Sequence, residues 1–203
     1  MKHPSKEDIM KAIREALMDK NTTDGREPES GKGTTFRMPE EDMVISFARQ
    51  FTDRGGTMYY CGDEEEILQR LVDIQSAHGN AVYGCCNENL AQFLNHMGIG
   101  DAFAATPEKE YYLGAMLCDG LEAWNGNIVL SDKQGLGTAF ASLPAVTVVL
   151  AFTSQIEPDW ESLDSRLKDT YPTFPEQLLF VDPACDDIQS RNLELILLLV
   201  DDQ

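Results

Sequence analysis

The stretch Leu121-Glu122-Ala123-Trp124-Asn125-Gly126-Asn127-Ile128-Val129-Leu130, with the later Ser142-Leu143-Pro144 and the apolar run over 145–152, restricts the fold more than any other feature. A buried strand that starts straight after a Gly-containing turn, followed by a Gly-x-Gly loop, a short helix and another buried strand, is how α/β proteins build a ligand crevice from backbone. Asn125-Gly126 favours a type I′ turn, so residues 128–130 need a hairpin or a buried strand partner. The functional reading adds that this turn sits at a strand end and presents short amide side chains.

The residues before this stretch alternate in period. Ile9, Met10, Ile13 and Leu17 fall at helical spacing behind Ser5 as a cap, which makes residues 1–20 an amphipathic helix. Residues 21–40 carry Gly25, Pro28, Gly31, Gly33 and Pro39 among polar groups and bury too little to offset ordering entropy, so they read as a flexible linker. From 41 to 203 the pattern is that of a single α/β domain. It predicts a helix through Val44, Ile45, Phe47, Ala48 and Phe51, closed at Arg54-Gly55-Gly56, then a strand at 57–61. A helix follows with Ile67, Leu68, Leu71, Val72 and Ile74 buried, ending near His78-Gly79. A strand is predicted over 80–86, and Asn87 caps a further helix through Leu90, Phe93 and Leu94. Such an order is the pattern of βαβ units and a largely parallel sheet. The apolar segments 102–105, 111–117, 128–130, 146–152, 177–181 and 193–200 follow closely, so some antiparallel pairing is expected there.

The 203 residues carry a formal charge of -19, which argues against nucleic acid and anionic membrane partners. From Gly55 onward only Arg70, Lys109, Lys133, Arg166, Lys168 and Arg191 are basic, against about 24 acidic residues. An anionic ligand would rely on backbone N–H groups, with Lys133 or Arg191 as counter-charges. Five cysteines with no Cys-x-x-Cys spacing read as reduced thiols. The start lacks an apolar leader, and no run approaches the length of a membrane-spanning helix, so a cytoplasmic location is expected.

Several chemistries find no pattern. His3, His78 and His96 are far apart and no metal site is expected; no Gly-x-Ser-x-Gly elbow occurs. Cys85 could serve as a nucleophile beyond a strand end, although a buried structural thiol is the simpler reading. Gly135-Leu136-Gly137-Thr138 is half of a dinucleotide fingerprint, read either as a turn or as an anion cradle. Asp182-Pro183-Ala184-Cys185-Asp186-Asp187-Ile188-Gln189 leads from a strand into a helical start, with Asp186 or Asp187 as its cap. Alternatively its N-terminus faces the same crevice as 135–138.

The order of elements and three local matches resemble the LUD-domain family, typified by lactate-utilisation protein C. Its segment like Ala-Asp-Thr-Gly-Thr is matched by Ala123 and Gly126, with Trp124 in place of the acid and Asn125 and Asn127 in place of threonines. Its Leu-Pro pair and following strand are matched by Leu143-Pro144 and the strand from Val146. Its Gly-Pro-Ser-(Arg/Lys)-Thr-Ala-Asp-Ile-Glu turn is matched by Pro183, Asp187 and Ile188, one residue short and ending in Gln189.

The resemblance implies a three-layer αβα sandwich with a largely parallel, partly mixed central sheet, of the NagB/RpiA/CoA-transferase-like kind. It implies an accessory or ligand-binding protein of organic-acid metabolism, a component of L-lactate oxidation to pyruvate acting beside iron–sulfur partner proteins. On that reading a small anionic ligand sits among Asn125, Gly126, Asn127, Gly135, Gly137, Thr138, Pro183, Cys185, Asp187 and Gln189, no cofactor is held, and the N-terminal helix offers a route to a homo-oligomer. The alternative is a free-standing CoA-transferase-like or cyclo-ligase-like enzyme that binds a phosphorylated or nucleotide-containing ligand, with Glu122 as the attacking carboxylate. A third reading is a divergent member that only oligomerises. Fold analogy alone does not decide among them.

Overall fold

Two long apolar strands form the centre of the molecule, and their composition explains their place. A computed structural model describes residues 40–85, 87–100, 111–134 and 143–201. The expected helix at 1–20 and residues 21–39 of the expected linker lie outside it, while Glu40 already begins a helix. The elements in chain order are α1 (Glu40–Asp53), β1 (Thr57–Cys61), α2 (Glu64–Ala77), β2 (Tyr83–Cys85), α3 (Glu88–His96), β3 (Leu113–Leu117), β4 (Gly120–Glu122) and β5 (Asn127–Ser131). There follow β6 (Val146–Phe152), β7 (Ile156–Glu157), α4 (Trp160–Thr170), β8 (Leu178–Val181), α5 (Asp186–Ser190) and β9 (Glu194–Val200).

Five strands form a parallel sheet in the order β1-β9-β6-β3-β2. β6 and β9 lie inside it and are covered on both faces, which is why both are almost wholly apolar, apart from Thr147, whose hydroxyl donates to the Pro144 carbonyl at 2.9 Å, and Glu194 at the start of β9. Alternate residues serve opposite cores. Leu195, Leu197 and Leu199 face α1 and the small sheet, while Ile196, Leu198 and Val200 face α2 and α3. The protein is therefore an α/β sandwich with a mostly parallel central sheet flanked by helices on both faces.

One flank also carries a four-stranded sheet in the order β7-β4-β5-β8, in which β4–β5 and β5–β8 are antiparallel. The antiparallel pairing expected in the second half is confined to this sheet. α1 lies in the same layer, with Phe47 and Phe51 stacked at 5.5 Å and fully buried. Its chain turns at Gly55, whose φ of 101° places the expected closing glycine.

Three readings need correction. The strand expected over 80–86 is shorter, because Asn80 takes φ 59° next to Gly79 at φ 71° and the chain is still turning there. Residues 123–126 form a four-residue hairpin loop in place of a type I′ turn: Glu122 pairs with Asn127, and only Gly126 has positive φ. The cap of α5 is Cys185, without a side-chain hydrogen bond, so neither Asp186 nor Asp187 caps it.

Candidate functional site

In a parallel sheet, ligands bind where neighbouring strands send their connections to opposite faces. β2 and β3 are such neighbours. β2 leads through Asn87, whose side chain accepts the Leu90 N–H at 3.1 Å, into α3 on one face. β3 leads through Cys118 and Asp119 into β4 on the other.

Asp119 stands at this divergence and is 5% exposed. Its Oδ1 accepts the Tyr171 hydroxyl at 2.7 Å and the Ser131 hydroxyl at 3.0 Å. Its Oδ2 is buried and has no partner among the described residues. Each element contributes one group: Asp119 precedes β4, Ser131 ends β5, and Tyr171 follows the last turn of α4, its N–H donating to the Leu167 carbonyl at 3.0 Å. Gln134 donates to the Tyr171 hydroxyl at 3.1 Å and accepts from Asn87 at 3.4 Å, which ties the network back to β2. Lys133 N–H donates to the Ser131 oxygen at 3.1 Å.

Burial raises the Asp119 carboxyl above its ordinary value; the hydroxyls of Tyr171 and Ser131 and the Ser131 backbone N–H oppose this, and the nearby Asp132 adds to it. Tyr171 is pushed up to about 12, first by burial and then by its bond to Asp119. Burial also acts on the thiols around the site. Cys85 is raised to about 11 by burial and donates to the Asn87 carbonyl at 3.3 Å, and fully buried Cys118 is raised further by the same cause.

The residues singled out in the sequence divide between the two ends of the central sheet. Glu122, Asn125 and Asn127 form one unit: the two amides donate to the two carboxylate oxygens at 2.9 and 2.8 Å, and Glu122 is 6% exposed. Gly126 packs against α1, where a Cβ would stand 2.6 Å from the Phe51 nitrogen. Pro183, Cys185 and Gln189 gather at the same end of α1. Gln189 donates to the Pro183 carbonyl at 2.8 Å and lies beside Gly55, and Arg54 pairs with Asp182.

Asp187 falls within α5 at that end. Strand β5 separates this group from Asp119, and the four steps from Asn127 to Ser131 span about 13 Å. Gly135, Gly137 and Thr138 lie outside the described residues and follow Gln134, a member of the Asp119 network. Of the expected counter-charges, Lys133 sits 3.8 Å from Asp132, and Arg191 donates to the Leu143 carbonyl at 3.1 Å.

Sequence reading passed over Asp119, Ser131, Gln134 and Tyr171. Only Asp119 carried a signal: an acid two residues beyond the end of an apolar strand run. Among the described residues no group of His, Cys, Asp and Glu is arranged to hold a metal.

The fold is an α/β sandwich that carries Asp119 at the carboxyl edge of its central sheet. No family model matches the chain, and no curated protein matches it significantly. Among solved structures it is similar to a DUF162 family protein from Deinococcus radiodurans, a family also known as the LUD domain. The identity is 13%, the TM-score 0.56, and the match covers 81% of this chain and 99% of the other. That likeness supports the α/β sandwich fold.

Proposed function

We propose that this protein is a LUD-type ligand-binding protein that holds a small polar organic molecule in the crevice between the carboxyl ends of β2 and β3. The observation that carries the reading is Asp119, a carboxyl 5% exposed at the divergence of two connections, with one oxygen unpartnered among the described residues. Such a group is costly to keep without a partner, and a ligand that completes it recovers that cost on binding.

Within organic-acid metabolism the role is that of an accessory component, with lactate oxidation to pyruvate completed by iron–sulfur partner proteins. The residues around Asp119 bind and orient, and the thiols nearby are held protonated by burial. Nothing in the placement of Glu122 favours the acyl-transfer alternative, since both its oxygens are held by amides of its own hairpin.

Backbone amide NMR of the full chain tests the placement during titration with lactate, pyruvate, sugar phosphates, nucleotides, CoA and folates. Shifts centred on 119, 131, 134 and 171 are expected with a small organic acid. Shifts confined to 122–127 and 183–189 overturn it, as does silence from all of these compounds and from small amines and amino acids.

A further inference from the structure

The hydrogen bonds around Asp119 all run in one direction. Asn87 donates to Gln134, Gln134 to Tyr171, Tyr171 to Asp119, Lys133 N–H to Ser131, and Ser131 to Asp119. Each hydroxyl already accepts a bond upstream, so its proton is committed to Oδ1, and the network is built around an acceptor. The Ser131 N–H also faces the carboxyl, but no hydrogen bond of ordinary geometry reaches Oδ2, which in the ionised carboxylate is left as a buried acceptor that calls for a donor.

Charge narrows the donor further. Asp119 has no ion-pair partner among the described residues. The charged and titratable groups that act on it are Asp132, Tyr171 and Cys118, none of them a cation. The nearby ammonium, that of Lys133, is 3.8 Å from Asp132. A ligand hydroxyl would fill the geometry and leave the charge uncompensated, and a ligand phosphate or carboxylate placed there would add repulsion. A ligand N–H cation supplies both the hydrogen bond and the countercharge, the combination that makes a buried ion pair tolerable.

We propose that the crevice at Asp119 takes a ligand bearing a primary ammonium group, a small amine or an amino acid, whose N–H bonds complete Oδ2. This rests on the reading that the crevice is the ligand site, and it names the chemical class of ligand.

Alanine, lactate and pyruvate share a three-carbon carboxylate and differ at the second carbon, which carries an ammonium, a hydroxyl or a keto oxygen. Ethylamine supplies the ammonium without the carboxylate. Calorimetric titration of the full chain should find alanine or ethylamine at least about tenfold tighter than lactate and pyruvate, the advantage of a charge-assisted bond over a neutral one. Asp119→Asn should lose that preference while still melting cooperatively.

The Asp119 carboxyl carbon resonance of the wild-type chain supplies a readout that needs no variant. It should move on adding alanine or ethylamine. Lactate binding tighter than alanine, with shifts still centred on 119 and 171, overturns the ammonium assignment and leaves the ligand site standing. Alanine binding with a still Asp119 resonance, or equal alanine binding by Asp119→Asn, also overturns it. Silence from all four compounds overturns the ammonium assignment, and silence across the wider panel as well removes the ligand site with it.

Discussion

Asp119 opposes folding when ionised, because its carboxyl is raised in the folded chain above the ordinary 3.8, chiefly by burial. In the linkage relation the folded state then binds more protons than the unfolded one, so stability falls as pH rises from the unfolded value through the folded value and levels off above it. Urea unfolding of ligand-free wild type and Asp119→Asn across pH should show wild type losing ground steadily from about pH 4 upward. A gap of the opposite slope would contradict the burial assigned to this carboxyl. Gly126 makes a second demand on one residue. At φ 68°, with a Cβ only 2.6 Å from the Phe51 nitrogen, Gly126→Val meets both backbone strain and rigid overlap and should cost about 3 kcal/mol or more. A change below about 0.5 kcal/mol in urea titration would mean that the turn does not press on α1.

Helix α4 exists by virtue of a cap and two leucines. The Asp159 side chain accepts the Ser162 N–H at 2.9 Å, and only Leu163 and Leu167 are buried along its length. Asp159→Ala should cost about 1 kcal/mol, and because Tyr171 follows the last turn, the loss should also speed hydrogen exchange at Tyr171. Exchange unchanged at Tyr171, with stability reduced, would uncouple the helix from the site. The same scarcity of buried positions left α4 illegible in the sequence, as the brevity of β4 and β7 left them. By contrast β6 and β9 are almost wholly apolar, and α1 and α2 repeat their apolar residues every three or four positions, so strand and helix are readable from a handful of residues. The candidate site divides in the same way. The Glu122-Asn125-Asn127 unit is local and visible as a motif; its two amide N–H groups donate to Glu122, while Asn127 Oδ1 is buried without a partner among the described residues. Tyr171 meets Asp119 across 52 residues of chain, a distance over which no periodicity or spacing speaks.

The charge of -19 acts on the molecule as a whole, and it acts on stability and on recognition with opposite signs. Among the described residues Arg54 pairs with Asp182, Arg70 with Asp73, Arg166 with Glu157 and Lys168 with Asp164. These are partly exposed pairs of small individual worth, so the remaining acids repel one another across the surface. Raising sodium chloride from about 10 mM to about 300 mM shortens the screening length from about 30 Å to below 8 Å and should raise the melting temperature. The same field draws a cation toward Asp119, so the association rate of ethylamine should fall over that range of salt while the protein becomes harder to melt. A ligand recognised through an anionic group would show the reverse, an association rate that rises with salt, because screening removes the repulsion it must cross. Stopped-flow association beside melting curves in the same buffers therefore separates the two kinds of ligand by sign. A melting temperature that falls with salt would show that the surface pairs outweigh the repulsion among the unpaired acids.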